Sequence, residues 1–186
     1  MRILPRQDEG VEILAGVEAN ILENGKLDLP ERYLEKMDIV LAGFHPPCYA
    51  GGSVADNTRA MINAIKNPYV DIIVHPGNPQ YPIDLDEIIA AVREYRTVLE
   101  INNNSLTEGV RKGSKENCLR IAREIAKWNL LVSLGSDAHY VDGVGKFDHA
   151  LKLVEEAGIR EEQVLNTSTE RIKTYLRSKG KLDQGF

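Results

Sequence analysis

The chain carries four histidines, and three of them stand just past a short apolar run. They are His45 in "LAGFHPP", His75 in "IIVHPGNP" and His139 in "LGSDAH". Acids keep them company: Glu18 closes the run "AGVEAN", and Asp137 lies two residues before His139. Neutral imidazole and carboxylate are donors that suit zinc, manganese or iron, and a carboxylate can bridge two ions. Such ions make hydroxide from water near neutral pH and clamp the oxygens of a phosphoryl group in line. A single histidine of this kind is ordinarily a hydrogen-bonded structural group. Five N/O donors gathered at four such run ends, with Pro or Gly turns after two of the histidines, point to metal instead. The fourth histidine, His149 in "FDHALKLVEE", falls inside a helical pattern among charged residues and reads as an exposed structural residue.

Donors spread over so much chain need a scaffold that brings them together. Apolar runs such as "IVLAGF", "DIIVHP" and "LVSLGS" are too continuous for a half-exposed antiparallel sheet and suit parallel strands covered by helices. Strands are expected at 12–17, 39–43, 72–75, 98–102 and 130–135, with a weaker one at 163–165. Helical start signals fall between them. Asp84 precedes "LDEIIAAVREY" with Glu87 three residues on, a capping box. Ser114 is placed to cap "KENCLRIAREIAKW", and Asp56 or Asn57 to open "TRAMINAIKN". Further helices are expected at 147–157 and 169–178. This alternation predicts an α/β fold with a parallel sheet, open or barrelled. In such folds ligands bind at the carboxyl ends of the strands, so Glu18, His45, His75, Asp137 and His139 should converge on one cleft.

At 186 residues the chain fits one domain with a real core. Its formal charge of −5 argues against nucleic acid or an anionic membrane as main partner. Cys48 and Cys118 form no CxxC pattern and read as reduced thiols of a cytoplasmic protein. The opening "RILPRQDEG" has no apolar leader core, and no run approaches a membrane span. No Walker A, GxGxxG or GxSxG pattern supports a nucleotide cradle or a serine nucleophile.

Taken in order, "GVEANI", "AGFHPP", "HPGNPQYPID", "LEINNNS", "RKGSKENC" and "LGSDAH" resemble the PHP-domain metal-dependent phosphoesterases, closest to the YcdX-like branch. The resemblance runs over nearly the whole chain. It implies a distorted (β/α)7 TIM-like barrel with a trinuclear metal centre at its C-terminal face, zinc first and manganese or iron as alternatives. By motif, Glu18 resembles the bridging glutamate, His45 and His75 the histidines of two middle strands, and Asp137 and His139 the ligands of the last metal-binding strand. Glu18, Asp137 and His139 would also be the catalytic residues. The family's opening HxH strand and its second, "TDH"-like strand have no counterpart in this sequence. The expectation is therefore a single, partial PHP domain over 1–186 without the first two β/α units. That predicts reduced metal occupancy around His45, His75 and Glu18, and self-association as a homo-oligomer across the open barrel edge.

The implied activity is metal-dependent hydrolysis of a small phosphomonoester. Arg111 and Lys112, in the loop before a helix, are candidates for gripping the phosphate. The alternative for both is a solvated basic loop. Asn102 and Asn103, just past a strand tip, could orient ligands or substrate, although asparagines are also ordinary turn formers. Two other functions stay open: a metal-dependent C–N hydrolase of the amidohydrolase kind, and an inactive, truncated metal-binding module.

Overall fold

A computed structural model of the chain describes residues 5–107, 109 and 111–182. The start of the N-terminal segment read above as leaderless, residues 1–4, lies outside the described residues. A short antiparallel ribbon of β1 (Gln7–Asp8) and β2 (Val11–Glu12) opens the fold. Five parallel strands follow: β3 (Gly16–Asn20), β4 (Ile39–Gly43), β5 (Ile72–Ile73), β6 (Val98–Asn102) and β7 (Val132–Gly135). They are hydrogen-bonded in chain order, each new strand joining the same edge. The helices are α1 (Glu31–Leu34), α2 (Val54–Ile65), α3 (Leu85–Tyr95), α4 (Ser114–Lys127), α5 (Asp148–Glu156) and α6 (Thr169–Ser178). The chain is thus an α/β protein built on a five-stranded parallel sheet.

Strand alternation divides the core in two. Ala42, Ile73, Leu99 and Val132 lie side by side in register and are buried with Met61, Ile88 and Ile125 of α2, α3 and α4. The alternate row, with Leu41, Ile72 and Val98, packs with Tyr175 and Leu176 of α6. The Tyr175 hydroxyl ties α6 to the N-terminal end of the sheet by donating to the carbonyls of Asp71 at 2.8 Å and Arg96 at 3.1 Å. Glu18, in register with Leu41, and Glu100, two residues beyond Val98, belong to this second row. The face that α6 covers at one end therefore carries acids at the other.

Several local expectations are corrected. The first long strand begins at Gly16, four residues after its expected start, because the preceding segment is used in the ribbon. Expected strand 163–165 is a pair of short 3-10 turns touching β7 through a single bridge, Val132↔Val164. Helix α2 starts earlier than Asp56 or Asn57. Ser53 caps it in a reciprocal box with Asp56, and Asn57 is buried, accepting from the Tyr49 hydroxyl and the Gly52 amide. At α3 the Asp84 carboxylate accepts the Glu87 amide, the forward half of the expected box. Gly113 occupies the N-cap of α4, while Ser114 is inside the helix and donates back to the Arg111 carbonyl at 2.6 Å. No helix among the described residues is long and apolar enough to cross a membrane.

Candidate metal centre

The middle of β3 and the segments just past β4 and β5 bring Glu18, His45 and His75 together. His45 Nε2 lies 3.0 Å from Glu18 Oε1, His75 Nε2 lies 3.3 Å from the same oxygen, and the two Nε2 atoms are 3.2 Å apart. The rings meet edge to face, with centroids 5.0 Å apart and planes at 80°. His75 is almost fully buried, with 3% of its side chain exposed, whereas Glu18 at 42% and His45 at 26% open to solvent. Hydrogen bonds from His45 and His75 hold the Glu18 carboxyl well below the usual carboxylate range. Burial pushes the His75 imidazole down, favouring the neutral form that a metal requires.

This donor set fits a divalent ion. Protons alone serve the triangle poorly, since two N–H groups aimed at one oxygen would face each other across 3.2 Å. The separations of 3.0–3.3 Å match the edge of about 3.3 Å expected for a tetrahedron of ligands ~2.0–2.1 Å from zinc. The three residues form a group whose ligand atoms all lie within 4.8 Å of one another.

Backbone and glycine geometry place these groups. His75 has a left-handed backbone, φ 37°, as do Arg111 at 51° and Asp137 at 52°. Such conformations are uncommon outside glycine and collect where a side chain must be aimed. Gly43 at the end of β4 leaves room for the His75 ring: a Cβ there would sit 2.8 Å from its Cε1.

The other candidates fall elsewhere. The Asp137 carboxylate accepts from Arg111 at 2.8 Å, and Arg111 also donates to Ser105 Oγ at 3.2 Å. This ion pair is largely shielded, with side chains 15% and 16% exposed. Arg111 is near enough to His75 for its charge to help lower that imidazole's pKa. His139 is 79% exposed and its Nδ1 turns to the Asp137 carbonyl at 2.9 Å, so the structure does not bring it to the Glu18 cluster. Asn102 donates to Glu100 at 3.2 Å and accepts the Ser105 amide at 2.9 Å. The Asn103 carboxamide oxygen accepts the amides of His149 and Ala150, so this residue caps the first turn of α5. Lys112 is exposed to solvent.

One residue beside the cluster carries no sequence-assigned role. Glu100, in the middle of β6, is buried, and burial pushes its carboxyl up to about 7. Its Oε2 accepts the backbone N–H of His75 at 2.7 Å. An acid inside an otherwise apolar strand was the available signal, but its partner is set by sheet register and not by local spacing.

Comparison with known proteins places this site in a family. The chain is 51% identical over 181 residues to a protein named probable phosphatase from Thermoanaerobacter sp. (strain X514), covering 96% of this chain and 74% of that protein. A protein of the same name from Acetivibrio thermocellus is 46% identical over 180 residues, 96% of this chain and 74% of its own length. Another, from Shewanella sp. (strain ANA-3), is 45% identical over 181 residues, 97% and 71%. No family model matches the chain. Identity at this level over nearly all of the chain shows that it belongs to the family of these probable phosphatases.

Proposed function

We propose that the chain is a metal-dependent phosphatase of the PHP type, hydrolysing a small phosphomonoester at the C-terminal ends of its strands. The observation that carries this reading is the convergence of Glu18, His45 and His75 from three neighbouring strands, in a relative of proteins named probable phosphatase. The sequential parallel order of β3 to β7 supports a barrel-type scaffold over a doubly wound sheet, whose strand order would reverse. Zinc comes first because two imidazoles and one carboxylate suit it, with manganese or iron as alternatives.

Glu18, His45 and His75 would hold the ion. When bound, it supplies Lewis acidity toward phosphoryl oxygens and lowers the pKa of water. Arg111 binds and orients the phosphate through guanidinium N–H groups that remain beside its Asp137 contact. Asp137 and Ser105 fix that side chain before substrate arrives, which limits the entropy lost on binding. Asp137 would have to leave Arg111 to reach an ion. The half-open position of Glu18 and His45 leaves the site accessible from solvent.

The test is hydrolysis of p-nitrophenyl phosphate by purified protein before and after chelation, with zinc or manganese added back. Turnover abolished by chelator and restored by metal is expected. Chelator-resistant turnover, or hydrolysis of a cyclic amide without phosphatase activity, would overturn the reading.

A further inference from the structure

We infer that Glu100 is a positioning residue for the metal centre: it holds the His75 backbone in its left-handed conformation and so keeps the imidazole against Glu18 and His45. This rests on the metal-centre reading above and adds a residue behind the ligands.

Three observations carry it. First, the Glu100 carboxylate accepts the His75 amide at 2.7 Å, within the protein interior. His75 sits one residue past the last β4–β5 ladder contact, where the Val74 amide meets the Ala42 carbonyl, so the ladder gives its amide no acceptor. A buried amide left without one is costly, and the carboxylate supplies it. Second, His75 is at φ 37°, a conformation that persists only where the surroundings hold it. Third, the neighbouring strand is shaped around the acid. Gly135, in register with Asn102, leaves a space that a Cβ could not share, since it would lie 1.7 Å from Glu100 Oε1. Gly135 is absent from the left-handed glycines, so its backbone conformation alone does not require glycine. Asn102 adds a second hydrogen bond to the same carboxylate oxygen at 3.2 Å. Groups that orient metal ligands through hydrogen bonds typically change metal affinity by about 10–100-fold when removed.

The experiment compares wild type, Glu100→Ala, Glu100→Gln and Gly135→Ala in two measurements below their unfolding temperatures. One is hydrogen exchange of the His75 amide in the metal-free protein. The other is zinc affinity by competition with a chromophoric chelator. The expected result is a slowly exchanging His75 amide in wild type, with at least ~10-fold faster exchange and ~10–100-fold weaker zinc binding in Glu100→Ala. Glu100→Gln, which keeps an acceptor oxygen, should restore both. Gly135→Ala should reproduce the alanine phenotype by displacing the carboxylate, and it reads the same role if Glu100→Ala does not fold. A wild-type His75 amide that exchanges like an open loop would overturn the inference, as would a folded Glu100→Ala protein with unchanged exchange and zinc affinity. Absence of zinc binding in wild type would overturn the metal reading instead, and the amide comparison would still decide the part played by Glu100.

Discussion

Two polar clusters sit at opposite ends of the sheet and are built on opposite plans. At the N-terminal end, Asp71 is fully buried. It meets the Lys181 ammonium, accepts the Val40 amide at 2.7 Å, and offers its carbonyl to the Tyr175 hydroxyl. At the C-terminal end, Glu18 meets two imidazoles and, among the described residues, no ammonium or guanidinium. The first cluster contains its own cation and is sealed, with Lys181 at 7% exposure. The second is partly open, with Glu18 at 42% and His45 at 26% exposure. The difference separates a sealed acid from one that opens to solvent. Asp71 fastens α6 and the turn after it to the sheet, whereas Glu18 belongs to the group that, in the function proposed above, would take its cation from solution.

That contrast can be broken from either end. The largest effect belongs to His75→Ala, which removes a donor from the triangle. Turnover of p-nitrophenyl phosphate and bound zinc should each fall by on the order of 10²-fold or more, beyond what loss of an orienting group causes. Steady-state kinetics and elemental analysis read this directly. At the other end, Lys181→Ala leaves Asp71 buried without its cation and should cost about 3–5 kcal/mol in chemical denaturation, with zinc content unchanged. A Lys181→Ala protein that kept its stability but lost zinc would erase the distinction.

Glu100 sharpens the comparison through pH. Burial raises its carboxyl from the ordinary 4.5 to about 7, so the folded chain binds this proton more tightly than the unfolded chain. Its contribution therefore weakens wild-type stability as pH rises from about 4.5 to about 7 and is constant outside that window. His75, lowered by burial, acts in the opposite direction in wild type and in Glu100→Gln alike, and so cancels in their difference. In chelator, the stability of Glu100→Gln relative to wild type should grow across that window by up to about 3 kcal/mol. A pH-independent difference would contradict it. The smallest effect is Tyr175→Phe, which removes the hydroxyl bonded to the Asp71 and Arg96 carbonyls. It should lower stability by about 1 kcal/mol and leave metal affinity alone.

Legibility in the sequence followed the same divide between local and non-local causes. Strands 39–43 and 98–102 match their expected bounds because continuous apolar runs ended by turn residues fix both the element and its ends. The strand expected at 12–17 shifted because "VEIL" reads as apolar while part of it belongs to the β1–β2 ribbon. Glu18, His45 and His75 could be grouped from sequence because each lies at or just past the end of an expected strand, and parallel strands in chain order deliver their ends to one face. Asp137 and His139 satisfy the same pattern. However, the left-handed backbone at Asp137 turns its carboxylate to Arg111, and His139 points outward. Asn103 caps a helix 46 residues away, a contact no local window can contain. Glu100 was visible as an acid in a strand, but its acceptor role depends on where β5 lies beside β6.

The most direct test of the central claim is anomalous scattering at the zinc edge from crystals of the wild-type protein grown with zinc. A peak bounded by Glu18 Oε1, His45 Nε2 and His75 Nε2 is the predicted result. Zinc bound only at Asp137 and His139, or no ordered zinc at the strand tips, would contradict it.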